Sequence, residues 1–154
     1  MLSALSDRPE IDRLRDFLER LLEARSEEVE FVVLFGSMAR GNWSRGSDYD
    51  VLVGLRAEDG RRLTDRIGDF ESLVDGNIQV FPYDRPSWER MFQSFHPLLL
   101  EALDHGVILF DRGRFAAMRD AFRGWRAAGI VTPVSSGWKI APTRDEELRR
   151  EGQQ

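Results

Sequence analysis

Phe35-Gly36-Ser37-Met38-Ala39-Arg40-Gly41-Asn42-Trp43-Ser44-Arg45-Gly46-Ser47-Asp48-Tyr49-Asp50-Val51-Leu52-Val53 is the stretch that decides the fold. The apolar run Phe31 to Phe35 reads as a strand and stops at Gly36-Ser37. The run Val51-Leu52-Val53, preceded by Asp48 and Asp50, reads as a second. Side chains on a strand alternate with a period of two, so Asp48 and Asp50 share a face. Two convergent carboxylates suit a hard divalent cation such as Mg2+, which takes oxygen ligands and keeps substrate phosphates in its shell. Gly36 and Ser37, just past the first strand, open a helix whose backbone N–H groups can meet a phosphate. A turn, a polar loop and two surface carboxylates would use the same residue types. The joint spacing, with an apolar strand on each side, weighs against that reading.

Working outward, Pro9 and the apolar residues Ile11, Leu14, Phe17, Leu18, Leu21 and Leu22 predict a helix over residues 8–25. A strand follows over 27–35, a short helix to about Arg40, and a polar loop over 41–47 that delivers the chain to a strand at 48–54. Residues 56–74 read as a charged helix burying Leu63, Ile67, Phe70 and Leu73 or Val74. Strands at 78–83 and 107–110 and helices at 86–92, 97–105 and 114–127 complete the pattern. Gly106 is expected to cap the second of those helices, with His105 and His96 in structural roles at helix ends. From Gly129 the pattern decays. One strand is expected around Trp138-Lys139-Ile140, and 143–154 reads as a frayed helix or an unfolded tail. The domain organisation is thus 1–128 as the main domain, with its motif core at 29–110, and 129–154 as a partly irregular extension. The alternation predicts an α/β (α+β) fold with a mixed sheet of four to five strands backed by helices.

Composition agrees. The chain has 154 residues, 42% hydrophobic, with four Trp and ten Phe, which suits one folded domain. A net charge of −5 argues against a general nucleic-acid binder, although Arg40 and Arg45 allow a local basic patch. With no cysteine, disulfides and thiolate metal sites are excluded. No apolar stretch approaches the ~18 residues of a membrane span, and the N-terminus lacks the pattern of a signal peptide, so a cytoplasmic protein is expected.

Taken together, the apolar residue, Gly36-Ser37, the ten-residue spacer and Asp48-Tyr49-Asp50-Val51 resemble the signature of the polymerase-beta-like nucleotidyltransferases. Ala39-Arg40-Gly41 and Ser47 resemble the minimal nucleotidyltransferase branch. The resemblance covers residues 29–110 and narrows the sheet to one with helices on one side. It implies transfer of a nucleoside monophosphate, AMP from ATP, to a hydroxyl acceptor with release of pyrophosphate. Asp48 and Asp50 would hold Mg2+, and Gly36 and Ser37 the β and γ phosphates, with Arg40 and Ser47 assisting. Members of this branch often pair with a HEPN-type helical protein, acting as antitoxins that adenylylate its tyrosine. That implies a protein acceptor, and self-association is left open. A third carboxylate usually stands on the neighbouring strand, where this chain has Gln79. An amide is neither an anionic base nor an equal cation ligand. Asp75, Asp84 and Glu71 are the alternatives in sequence. The competing function is therefore a catalytically impaired nucleotide-sensing or partner-binding module. A nucleic-acid 3′-end transferase would require a basic groove, against the acidic balance.

Overall fold

A computed structural model describes residues 2–44, 46–142 and 152. In chain order the elements are α1 (Ile11–Arg25), β1 (Val29–Phe35), α2 (Ser37–Arg40), β2 (Tyr49–Leu55), α3 (Leu63–Glu71) and β3 (Ile78–Tyr83). Then come α4 (Arg85–Gln93), α5 (Pro97–His105), β4 (Val107–Asp111), α6 (Arg114–Ala127), β5 (Val131–Val134) and β6 (Gly137–Ile140). Four strands form one mixed sheet in the order β3-β2-β1-β4. β1 runs antiparallel to both β2 and β4, whereas β2 and β3 are parallel. A parallel pair needs a crossover connection, and α3 supplies it.

Helices cover both faces of this sheet, which corrects the one-sided arrangement expected from the resemblance. Val32, Leu34, Tyr49, Val51, Val53 and Val80 pack with Leu14, Phe17 and Leu21 of α1 and Phe70 of α3. Phe31, Val33, Phe35 and Leu52 pack instead with Trp88 and Met91 of α4, the Leu99–Leu103 run of α5, and Phe115, Met118 and Phe122 of α6. The reason lies in the strands themselves. Val32-Val33-Leu34 and Val51-Leu52-Val53 are apolar without alternation, so neither sheet face can be left to water.

Several boundaries differ from expectation. α1 starts at Ile11, after Glu10 in a left-handed conformation (φ 56°). α3 starts at Leu63 rather than 56, because Asp59 turns the preceding segment, its carboxylate accepting from the Arg61 N–H at 3.1 Å. Within α3 the buried residues are Arg66 and Phe70, whereas Leu63 is exposed. Gly106 ends α5 with φ −63° and ψ 146°, not as a left-handed cap. Its glycine serves proximity, since a Cβ there would sit 2.3 Å from the Ala102 carbonyl oxygen and 2.6 Å from Val33 Cγ1. After Gly129 the chain forms the antiparallel β5–β6 hairpin, where one strand was expected. Val131 is buried, and Trp138 meets the Phe122 ring edge-on at 5.7 Å. The expectations for residues 143–154 and for Arg45 lie outside the described residues.

Tyr49 shows how the core orients the motif. Its ring is fully buried on the α1 face, and its hydroxyl donates to the Pro9 carbonyl at 2.5 Å. Burial pushes its pKa up to about 12, keeping the hydroxyl a neutral donor. Alternation then turns Asp48 and Asp50 to the other face. Tyr49→Phe is expected to cost about 1 kcal/mol, the usual net worth of such a bond. Thermal denaturation should show a melting point lower by roughly 2–4 °C.

Candidate functional site

The site sits where β1 ends and β2 begins. Phe35 pairs with Asp50 across the antiparallel ladder, and Asp50 pairs with Gln79 across the parallel one. Partners in register share a face, so the Asp50 and Gln79 side chains stand side by side. The sequence reading of Gln79 as Asp50's neighbour on the next strand matches this register. Past Phe35 the chain turns sharply at Gly36, with φ 78° and ψ −161°, a conformation that favours glycine. Asp50 lies so close behind it that a Cβ on Gly36 would come within 2.6 Å of Asp50 Oδ2. The Gly36 carbonyl accepts from the N–H groups of Ala39 and Arg40, which closes α2, and Ser37 is the first residue of that turn. Gly36, Ser37 and Asp50 are thus brought together, with Asp48 exposed beside them.

Asp50 carries the electrostatic signature of the site. Burial raises its pKa, the charges of Asp48 and Glu101 raise it further, and Arg40 opposes them. Two carboxylates therefore converge with an unmet need for positive charge. Among the described residues, no three His, Cys, Asp or Glu side chains converge to cage a metal. Such a donor set fits a hard cation that completes its shell with water and substrate oxygens rather than with protein alone.

The remaining predicted residues surround this centre. The Arg40 guanidinium lies 3.8 Å from the Glu101 carboxylate of α5, and both are partly open to solvent. The Ser47 hydroxyl accepts from the Ser44 N–H at 3.0 Å, and its carbonyl accepts from Asn77 Nδ2 at 2.9 Å. Ser47 therefore ties the loop to the turn before β3. Asn77 Oδ1 is buried without a partner. Trp43, in the loop before Asp48, is half-buried and packs on the α1-side core.

Asp84 is not available as a third carboxylate. It lies just past the opposite end of β3, accepts from the N–H groups of Ser87 (3.2 Å) and Asp59 (3.0 Å), and pairs with Arg66 at 3.6 Å. Burial pushes its pKa up, but those hydrogen bonds and Arg66 outweigh this and hold it below the usual carboxylate range. Asp75 and Glu71 are exposed.

The helix at 97–105 was expected, but its approach to the site was not. Glu101 acts on the charge of Asp50, and His105 Nε2 accepts the Gly36 N–H at 3.1 Å. The available signal was Glu101 and His105, four residues apart on a largely apolar helix, a spacing that places both on one side.

Residues 11–80 match the family model of the nucleotidyltransferase domain. Over that stretch the chain is similar to a nucleotidyltransferase domain. The matched stretch spans α1, the Gly36-Ser37 turn, both aspartates and Gln79, and its identity agrees with the resemblance read from the motif. Two solved structures share this fold. One is a candidate nucleotidyltransferase from Sulfolobus solfataricus, at 20% identity and a TM-score of 0.50, covering 68% of this chain and 82% of its own. The other is a point mutant of the toxin–antitoxin MntA–HpeT, at 15% identity and a TM-score of 0.50, covering 74% and 86%. At these identities the likeness is one of fold. No curated protein matches the chain. Among the described residues, no helix is long and apolar enough to cross a membrane.

Proposed function

We propose that the domain transfers AMP from ATP to a hydroxyl group, using Asp48 and Asp50 to hold Mg2+. The observation that supports this most is the half-buried Asp50, destabilised as an anion, set against the Gly36 turn and beside Asp48. In the reaction the acceptor oxygen bonds to the α-phosphorus, the bond from that phosphorus to the bridging oxygen breaks, and pyrophosphate leaves. Mg2+, when bound, supplies neutralisation of the charge that develops on the phosphates. Gly36 leaves room for the triphosphate, and Ser37 offers its N–H and hydroxyl to the β and γ phosphates. Arg40, partly exposed, adds positive charge at the rim, and Ser47 keeps the loop before Asp48 in place. The acceptor is a tyrosine of a HEPN-type helical partner, as the resemblance to the minimal nucleotidyltransferases implies, which would make this chain the antitoxin-like member of a pair. Co-expression with a small helical protein encoded beside it tests this: mass spectrometry should find adenylylated tyrosine on the partner, and an unmodified partner counts against that acceptor.

Gln79 supports a second reading, a module that binds nucleotide without transferring it. It occupies the register position next to Asp50, and among the described residues no group of three acidic or imidazole side chains converges to make up for it. In the transfer reading, the acceptor's proton passes to a base on the partner's side. Gln79→Glu should then raise transfer of label from α-labelled ATP by roughly tenfold or more, the low end for a positioned general base being larger still. An unchanged rate would mean that the absent carboxylate is not what limits turnover. Label that binds but never transfers, in either form, would favour the sensing module.

A further inference from the structure

Gly36 is buried, and a buried backbone N–H must find an acceptor. It finds one in His105, whose Nε2 lies 3.1 Å away and sixty-nine positions along the chain. On the Cβ side of the same glycine stands Asp50 Oδ2. One peptide unit is thereby held between an imidazole and a proposed metal ligand, at the point where the chain turns into Ser37.

The imidazole projects from a fixed base. Leu99, Leu100, Ala102 and Leu103 seat α5 on the sheet. Its last carbonyls are gathered by Arg119, which donates to Ala102 (3.2 Å), Leu103 (3.1 Å) and Gly106 (2.6 Å). Gly106 brings that helix end against Val33 of β1. We propose that His105 is a positioning residue: by accepting the Gly36 N–H it sets the turn that places Ser37 and the Asp50 carboxylate for a nucleoside triphosphate. This rests on the nucleotide reading of the site.

The bond has a chemical requirement. Nε2 accepts only when unprotonated, so the proton of the neutral ring is on Nδ1. Burial lowers the His105 pKa, with Arg40 and Arg119 acting in the same direction and Glu101 and Asp104 opposing them. The ring is therefore neutral at pH 7, as an acceptor must be. A side chain that only filled space would need no acceptor atom at this position, and that difference is testable.

The full chain is titrated with Mg2+-ATP by calorimetry as wild type, His105→Leu and His105→Gln, with melting curves and amide NMR spectra for each. Leu fills the space without an acceptor, whereas the Gln Oε1 can take the Gly36 N–H. His105→Leu should weaken ATP binding roughly three- to tenfold, the range set by the net worth of one hydrogen bond, while His105→Gln stays within about twofold of wild type. The Gly36 amide resonance should shift strongly in the Leu variant and less in the Gln variant. If folded Leu and Gln variants both bind as wild type does, or weaken alike, the positioning role is overturned and the nucleotide reading stands. Wild-type protein that binds no ATP would instead overturn the nucleotide reading, and this inference with it.

Discussion

Asp50→Asn is expected to lower nucleotidyl transfer by about three orders of magnitude while raising, not lowering, the melting temperature. The loss corresponds to roughly 4 kcal/mol of transition-state stabilisation at tenfold per 1.4 kcal/mol, the scale expected when metal-borne charge stabilisation is removed. The gain follows from linkage. Burial and the neighbouring Asp48 raise the Asp50 pKa in the fold, so the folded state binds this proton more tightly than the unfolded chain does. Its favourable contribution is complete below the unfolded pKa and is lost as pH rises through the folded one. At neutral pH the ionised carboxylate is therefore a net cost, and the neutral amide removes it. Parallel melting curves of wild type and variant at pH 7 check the sign. A variant that melts lower and keeps its activity would mean that Asp50 is a structural acid, not a functional one.

Arg66→Met is expected to produce the largest loss of stability among single substitutions on the sheet's far side. The guanidinium is 4% exposed and pairs with the Asp59 carboxylate at 3.1 Å and with Asp84 at 3.6 Å. It also donates to the carbonyls of Pro82, Asp59 and Arg61. Methionine of similar length fills the space but removes the donor to three carbonyls and the positive charge between two acids, which keep only their backbone N–H and Arg61 partners. Breaking a buried pair by removing one partner costs about 3–5 kcal/mol, which in a chain of this size lowers the melting point by roughly 10 °C. Urea denaturation should show a reduced midpoint with an unchanged slope. Because Arg66 lies at the opposite end of β3 from Gln79, folded protein should bind ATP as wild type does. An undiminished midpoint would show the network to be dispensable.

These two residues mark the boundary of what the sequence made legible. That Gly36, Ser37 and Asp50 come together beside Asp48 was legible because the turn after one strand and the period of two on the next restrict residue type and spacing. The period of two put both acids on one face, and the structure turns Tyr49, buried and bonded to Pro9, to the other. Gln79 was legible for the same reason, once the third strand was placed beside the second. The two-sided packing is also written in the unbroken apolar runs of β1 and β2, which outweigh the one-sided arrangement that the resemblance implies.

Arg66 was not legible. A buried guanidinium is chosen by where loop carbonyls and acids come to rest, and those are set by the turn at Asp59 rather than by helical periodicity. His105 was read correctly as ending a helix, yet its contact with Gly36 depends on how α5 lies across the sheet, which no local pattern encodes. The β5 strand was hidden by Pro133 within it, a residue that ordinarily argues against a strand except at an edge.

The central claim, that the Asp48–Asp50 pair and the Gly36 turn form a metal-dependent nucleotide site, is tested most directly by calorimetric titration of ATP with and without Mg2+. Wild type is compared with the Asp48→Asn/Asp50→Asn double variant. The account predicts saturable binding by wild type only when Mg2+ is present, and no binding by a folded double variant. Equal binding by both proteins, or none by folded wild type, would contradict it.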